Sequence, residues 1–230
     1  MPHDTLQRPL TDLRISVTDR CNFRCGYCMP LDNYDWLDKN EVLTFEEIIR
    51  IARIFVQLGV EKIRLTGGEP LARRDLGQLI AGLTPIDGLL DICLTTNAST
   101  LAEKSHTLRA AGLRRINVSL DSLKPDKFRK ITKRGDLGKV LEGLRAAKST
   151  GFNPIKINTV IERGVNDDEI LDLVSFSLEH GFAIRFIEFM DVGNLNNWGM
   201  EKVVSRKEIF EMINSKFPLV PLSSNYRGEV

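Results

Sequence analysis

Two hydrophobic periodicities alternate along the chain. Stretches in which every second residue is apolar predict strands, and apolar residues three or four positions apart predict helices. Ile48, Ala52 and Phe55 follow the helical spacing, and Thr44 with Glu47 forms a capping box in front of them. The predicted strands are 12–18, 61–66, 91–96, 115–120, 155–160 and 183–190. One predicted helix begins at Thr44, and four others cover 75–83, 101–111, 137–149 and 167–180.

Glycines mark the step from helix to strand in this pattern. Gly59, Gly112, Gly151 and Gly181 each lie between a predicted helix and the next predicted strand. Glycine suits the left-handed position just past a helix end. Regular alternation of strands and helices implies a parallel sheet with helices outside it. The expected fold class is therefore α/β, as an open sheet or a barrel.

Several predicted strands carry basic residues on one face. Arg14, Lys62, Arg64 and Lys156 alternate with apolar neighbours. The apolar faces must pack on the helices, so the basic faces point inward, where a closed barrel is filled by branched aliphatics. Four buried cations without partners would be costly. The pattern thus predicts a water-accessible cavity for a polar anionic ligand. The alternative is that these strands lie at the edge of the sheet with one face in solvent. That alternative can explain basic residues on one strand, but it explains basic residues on three strands less well.

Charge and hydropathy narrow the classes of partner. The formal net charge is +1, so no broad electrostatic surface for nucleic acid or membrane is expected. The most apolar long stretch, 48–60, is too short and too charged to span a bilayer. The N-terminus lacks the apolar segment of a signal peptide. A cytoplasmic protein without nucleic-acid or membrane partners is expected. The charge run 124–134 is expected to be a solvated helical or loop surface, with contact to a partner as the alternative.

Three of the four cysteines, Cys21, Cys25 and Cys28, fall within eight residues. Such closely spaced thiols, without a secretion signal, suggest a soft-metal or iron–sulfur site rather than a disulfide. A structural zinc site takes four ligands, and this loop offers three, whereas a cubane held by three cysteines keeps one iron open. A structural metal knot or three unrelated thiols is the alternative. Cys93 is expected to be a small buried hydrophobe without a ligand role.

The spacing C-x3-C-x2-C resembles that of the radical SAM superfamily. The stretch Thr66, Gly67, Gly68, Glu69, Pro70 after the second strand resembles the motif with which that superfamily binds the amino group of S-adenosylmethionine (SAM). The resemblance implies a [4Fe–4S] cluster with one open iron to which SAM binds. It also implies an incomplete (β/α)6-type parallel barrel over 1–230, ending before a C-terminal second-cluster segment.

Within the superfamily the chain resembles the GTP 3′,8-cyclases of molybdenum cofactor biosynthesis, the MoaA family. The stretches that carry this resemblance are 13–25, 63–70, 95–97, 117–121 and 186–190. It implies Cys21, Cys25 and Cys28 as cluster ligands and Tyr27, Gly68, Ser119 and Met190 as SAM contacts. It further implies Arg14, Arg64, Thr95 and Lys156 as GTP contacts, with added charge from Lys62 and Arg185.

The resemblance also implies the reaction. The reduced cluster would cleave SAM to a 5′-deoxyadenosyl radical that abstracts the 3′ hydrogen of GTP, and ring closure at C8 would give (8S)-3′,8-cyclo-7,8-dihydroguanosine 5′-triphosphate. This lyase reaction is the first step of molybdenum cofactor (molybdopterin) biosynthesis. No catalytic side chain beyond the cluster and SAM is implied. The implied partners are GTP, an electron donor, a second copy in a homodimer and, downstream, cyclic pyranopterin synthase.

The chain departs from that family in one respect. Family members continue with three further cysteines that hold a second [4Fe–4S] cluster near the guanine, and this chain ends at Val230 without them. The expectation is a fragment or a protein that lacks the second site. Two other functions stay open: a different radical SAM enzyme, such as a peptide- or sulfatase-maturing one, and a non-catalytic protein that binds SAM or a cluster.

Overall fold

A computed structural model describes residues 2–192 and 195–222 of the chain. The strands within them are β1 (Asp12–Ser16), β2 (Lys62–Thr66), β3 (Asp91–Thr96), β4 (Arg115–Ser119), β5 (Ile155–Ile161) and β6 (Ala183–Glu188). They form one sheet in chain order, and every neighbouring pair is parallel. The α/β fold with a six-stranded parallel sheet is therefore confirmed. In the described residues, β1 and β6 lie at the two edges of the sheet.

Helices connect the strands. They are α1 (Phe45–Gln57), α2 (Leu76–Leu83), α3 (Leu101–Ala110), α4 (Pro125–Thr132), α5 (Leu137–Ser149), α6 (Ile170–His180) and α7 (Arg206–Lys216). Within the described ranges, no helix has the length and apolar character needed to cross a membrane.

The predicted helix signals are present. The Thr44 hydroxyl accepts the Glu47 N–H at 3.2 Å, and the Glu47 carboxylate accepts the Thr44 N–H at 2.7 Å. These reciprocal bonds satisfy two of the backbone donors at the start of α1. The glycines that separate helix from strand all have positive φ, as a left-handed exit requires.

Helix α7 lies outside the predicted set, and α4 lies in the run that was predicted to be helical or loop. Helix α4 occupies most of the charge run 124–134, which was predicted to be solvated. Phe128, Ile131 and Thr132 on α4 are buried, so that prediction was wrong for one face of the run. Helix α7 follows β6 and packs on α6, where Ile209 and Ile213 join a small apolar cluster.

The main core lies between the sheet and the helices. Its strand residues alternate with polar ones, as in β2, where Ile63 and Leu65 are fully buried and Lys62 and Arg64 are half-buried. The apolar face of each strand therefore packs under the helices. The opposite faces, which carry the basic residues, are left to line the inside of the sheet.

Candidate functional site

A cavity of about 860 Å³ lies inside the sheet. Residues from all six strands line it, which requires the sheet to curve around it. The strand residues that do so include Arg14, Lys62, Arg64, Cys93, Arg115, Asn117, Lys156 and Arg185. The cavity predicted from the polar strand faces is thus present. Cys93 is buried as expected, but it faces this cavity rather than the helices.

The cavity is strongly basic. Arg14 is exposed, and Lys62, Arg64 and Lys156 are half-buried, as the predicted water-accessible cavity requires. Access to water lowers the cost of holding like charges together. Burial, followed by the charge of Arg185, lowers the pKa of Lys156. The Nε of Arg64 is buried without a hydrogen-bond partner among the described residues. An anion in the cavity would meet a net positive charge, because seven arginines and lysines and three aspartates line it.

The N-terminal residues 2–11 cover this cavity at the end where the strands begin. The N–H of Leu10 donates to the carbonyl of Pro2 at 3.0 Å, so the segment doubles back on itself. The guanidinium of Arg8 pairs with Asp4 at 2.6 Å, and both residues line the cavity. Residues 2–11 therefore form an arm beside the cavity, and several of them line it.

The cysteine loop leaves the other end of the sheet, after β1. Cys21 and Cys25 are half-buried and Cys28 is exposed, and all three are free thiols. The N–H of Phe23 donates to the Cys21 sulfur at 3.4 Å. Burial raises the pKa of each of these thiols. Three free thiols on one loop, one already accepting a backbone N–H, fit the thiolate ligand set of an iron–sulfur cluster.

A mononuclear metal site is not formed in the same place. Among residues 2–192 and 195–222, no three Cys, His, Asp or Glu side chains are grouped so that they could hold one metal ion. A [4Fe–4S] cluster has a different requirement, because each thiolate binds a different iron atom.

Helix α4 packs against the cysteine loop and is hydrogen-bonded to its backbone. The N–H of Arg24 donates to the carbonyl of Thr132, and that of Gly26 donates to Ile131, both at 3.0 Å. The loop therefore satisfies carbonyls that the end of α4 leaves free. The rings of Phe23 and Phe128 pack edge to face with centroids 6.1 Å apart. The sequence signal for this contact is Pro125 followed by apolar residues at helical spacing. It was overlooked because charged residues surround those apolar positions.

The glycine motif packs directly on the chain that enters the cysteine loop. The N–H of Gly68 donates to the carbonyl of Thr18 at 2.7 Å, and that of Glu69 donates to Arg20 at 2.8 Å. A Cβ on Gly68 would lie 2.3 Å from the Arg20 carbonyl oxygen. A Cβ on Gly67 would lie 2.3 Å from the Thr18 carbonyl oxygen, so the two motifs approach this closely because both glycines lack a side chain.

Tyr27 is fixed by a buried carboxylate. Its hydroxyl donates to Asp121 at 2.8 Å, and the N–H of Val160 donates to the other oxygen of Asp121 at 2.9 Å. Burial raises the pKa of Asp121 to about 6. Ser119, the last residue of β4, lies two positions earlier and is half-buried. The contact between Tyr27 and Asp121 was not predicted from the sequence.

Asn196 joins two other predicted residues. Its side-chain amide donates to the carbonyls of Tyr27 and Met190, both at 3.1 Å. Met190 lies beyond the end of β6, and its side chain is 51% exposed, so it is not the core residue that a strand-end methionine usually is. Tyr27, Met190 and the cysteine loop therefore lie on the same side of the sheet.

The predicted polar contact Thr95 lies on β3 and is half-buried. It is not among the residues that line the large cavity. Its hydroxyl accepts a long, 3.4 Å contact from the amide of Asn117, which does line the cavity. Thr95 is therefore connected to the cavity through Asn117.

Comparison with known proteins identifies the fold and the family. The profile of the Radical SAM superfamily matches residues 15–177. Among solved structures, SuiB from Streptococcus suis bound to S-adenosylmethionine aligns over 90% of this chain and 47% of its own, with a TM-score of 0.70 and 19% identity. Methylornithine synthase (PylB) aligns over 92% of this chain and 63% of its own, with a TM-score of 0.70 and 19% identity. These two likenesses concern the fold.

Curated relatives are much more similar in sequence. The GTP 3′,8-cyclase of Xanthomonas axonopodis pv. citri is 51% identical over 99% of this chain, and the GTP 3′,8-cyclase of Acidothermus cellulolyticus is 53% identical over 99%. The chain spans 69% and 64% of the length of these two proteins. Taken with the cysteine loop and the glycine motif, these matches show that the chain belongs to the GTP 3′,8-cyclase family of the radical SAM superfamily.

Proposed function

We propose that this chain carries the SAM- and GTP-binding barrel of a GTP 3′,8-cyclase that acts in molybdenum cofactor biosynthesis. One observation carries the proposal: a basic cavity lies inside the curved sheet, and a three-thiol loop follows the first strand at one end of that sheet. A substrate with an anionic tail in the cavity would present its other end to the loop.

Cys21, Cys25 and Cys28 are proposed to hold the [4Fe–4S] cluster, with one iron left open for SAM. When bound and reduced, the cluster and SAM supply the one-electron cleavage that starts radical chemistry. The chain's own residues position these groups. Arg24 contributes by donating to the carbonyls of Cys21 and Phe23, both at 2.7 Å, which holds the loop in shape.

Four residues are proposed to contact SAM: Tyr27, Gly68, Ser119 and Met190. Gly68 has no side chain, which lets other groups approach its backbone closely. Asp121 accepts the hydroxyl hydrogen of Tyr27 and thereby fixes the ring beside the loop.

Arg14, Arg64, Thr95 and Lys156 are proposed to contact GTP, with Lys62 and Arg185 adding charge. Arginine offers a planar pair of donors to phosphate oxygens, and lysine a point charge. A triphosphate in the cavity would neutralise cations that now repel each other. The chain has no G-x-x-x-x-G-K-[ST] loop, so the nucleotide would be held by strand side chains instead.

The residues present do not fit a second cluster. The chain has four cysteines, and the fourth, Cys93, is buried on β3 away from the loop.

An electron donor, a homodimer and a downstream pterin-forming synthase are proposed partners from the family alone. A reducing cytoplasm is the proposed location because the loop thiols are free.

Anaerobic turnover tests the proposal. The chain is loaded with iron and sulfide, given SAM and a reductant, and assayed for 5′-deoxyadenosine with and without GTP. A yield that GTP raises severalfold supports the cyclase function. An equal yield with and without GTP contradicts GTP as the substrate, and no SAM cleavage at full iron loading favours a non-catalytic binding protein.

Binding provides a second test that does not depend on turnover. Arg64→Ala and Lys156→Ala are expected to weaken GTP binding about tenfold each, as loss of a charged hydrogen bond would. Arg53→Ala, which removes an exposed arginine from α1, is the matched control and is expected to bind GTP normally. Unchanged GTP affinity in both cavity variants contradicts the assignment of the cavity. Stronger stimulation of SAM cleavage by a peptide than by GTP would favour a peptide-modifying enzyme instead.

A further inference from the structure

Arg115 occupies a position in the cavity that parallels two of the proposed phosphate-binding arginines. In the register of the sheet, Arg14 pairs with Arg64, Arg64 pairs with Cys93, and Cys93 pairs with Arg115. Three arginines therefore share one row around the inside of the sheet, interrupted only by Cys93. All four residues line the same cavity.

The guanidinium of Arg115 is held in place from one side. Its Nη1 donates to Asp91 Oδ2 at 2.6 Å, and the two side chains are 31% and 16% exposed. Within the described residues, this is the hydrogen bond that the structure gives to the Arg115 side chain. The remaining guanidinium donors are therefore left for a ligand in the cavity, and the side chain is already oriented.

The charge of Arg115 acts on Lys156 in the cavity although Arg115 is paired with Asp91. Positive charge from Arg185, Arg115 and Arg64 adds to burial in lowering the pKa of Lys156. The pair with Asp91 thus does not cancel the effect of Arg115 on the cavity. An anion bound near Lys156 would feel the same positive charge.

The position of Arg115 along the strand indicates which part of a ligand it meets. Arg115 is the first residue of β4, and Asp91 is the first residue of β3. The cysteine loop, in contrast, follows the last residues of β1. In the register of the sheet, Arg115 lies level with Arg14, the middle residue of β1, and Asp91 lies level with Asp12 at the start of β1. Lys156 pairs with Asn117, two residues after Arg115 on β4, so Arg115 lies farther from the loop end of the sheet than Lys156 does.

We propose that Arg115, oriented by Asp91, is a further specificity-determining residue that binds the distal phosphates of the substrate and makes the chain prefer GTP to GMP. The inference rests on the proposed function, because the ribose must face the cysteine loop for the phosphate tail to reach Arg115. It adds a contact from β4 to those proposed on β1, β2, β3 and β5.

The test compares dissociation constants for GTP, GDP and GMP, measured by titration calorimetry on the whole chain. Arg115→Ala is expected to weaken GTP binding about tenfold, to weaken GDP binding less, and to leave GMP binding within about twofold. Arg114→Ala removes the same charge from the preceding, exposed position and is expected to bind all three nucleotides like the unsubstituted chain. Arg115→Lys keeps the charge and is expected to recover part of the preference for GTP.

The outcomes separate the inference from the function on which it rests. GTP affinity unchanged in Arg115→Ala overturns the inference and leaves the proposed function intact. An equal loss for GTP and GMP in both Arg115 variants indicates a structural role and also overturns it. Failure of the unsubstituted chain to bind GTP overturns the proposed function itself.

Discussion

The carboxylate of Glu69 accepts a 2.7 Å hydrogen bond from the hydroxyl of Thr96 and so ties the loop after β2 to the end of β3. The same carboxylate accepts the N–H of Asn97 at 2.6 Å and that of Leu71 at 2.9 Å. Glu69 is only 3% exposed. The acidic residue of the glycine motif therefore joins two neighbouring strand ends, and its oxygens are occupied by the protein.

Replacement of Glu69 by Gln should destabilise the fold. A glutamine places an NH2 group where a carboxylate oxygen accepts a hydrogen bond, and a buried donor left without its acceptor costs about 1–3 kcal/mol. Urea unfolding measures this change in the free energy of unfolding. Glu142→Gln, at an exposed position on α5, is the control and should stay within about 0.5 kcal/mol. A Glu69→Gln variant as stable as the control would contradict the structural role of this carboxylate.

Gly68→Ala should disrupt the contact between the glycine motif and the cysteine loop. The new Cβ would lie 2.3 Å from the backbone oxygen of Arg20, which cannot move as a side chain can. Overpacking of this kind costs about 1–3 kcal/mol and should lower the iron content after anaerobic reconstitution. Gly26→Ala adds the same methyl group within the cysteine loop, with no heavy atom within 4 Å, and should load iron normally. Equal iron content in both variants would show that the close approach is unnecessary.

Cys25→Ser should abolish cluster binding, because a hydroxyl is a much poorer ligand for iron than a thiolate. Iron and sulfide per chain, together with the visible absorption of the reconstituted protein, measure the effect. Cys93→Ser makes the same substitution in the cysteine outside the loop and should retain the cluster. Full iron binding by Cys25→Ser, or its loss in Cys93→Ser, would refute the proposed ligand set.

Acid should loosen the attachment of α7. Hydrogen bonds from Arg163 and from Ser205 lower the pKa of Glu208 to about 2. Because the folded-state pKa lies below the unfolded value, this stabilisation is present above about pH 5 and is lost as the pH falls towards 2. The urea midpoint of the unsubstituted chain should therefore approach that of Glu208→Gln on acidification. Glu211→Gln, on the same helix, is the control, and a constant difference between Glu208→Gln and the unsubstituted chain would contradict this role.

The local elements were predictable because their signals are local. The capping box of Thr44 and Glu47 and the glycines at positive φ act over a few residues, and the structure reproduces them. The alternation of basic and apolar residues predicted an inward basic face, and the cavity confirms it. By the same alternation, Arg115 shares a face with Asn117, so its place in the cavity was readable but overlooked. The buried face of α4 was missed because charged residues surround Phe128 and Ile131 in the sequence.

Sequence by itself determined the order of strands and helices, the thiol loop, the glycine motif and the basic character of the strands, since each depends on residues close together in the chain. Tertiary structure decided which of these meet. The bonds from Tyr27 to Asp121, from Arg115 to Asp91 and from Asn196 to Met190 depend on the register and curvature of the sheet and on the path of the loops. Those properties arise from packing among distant residues, and no local periodicity encodes them.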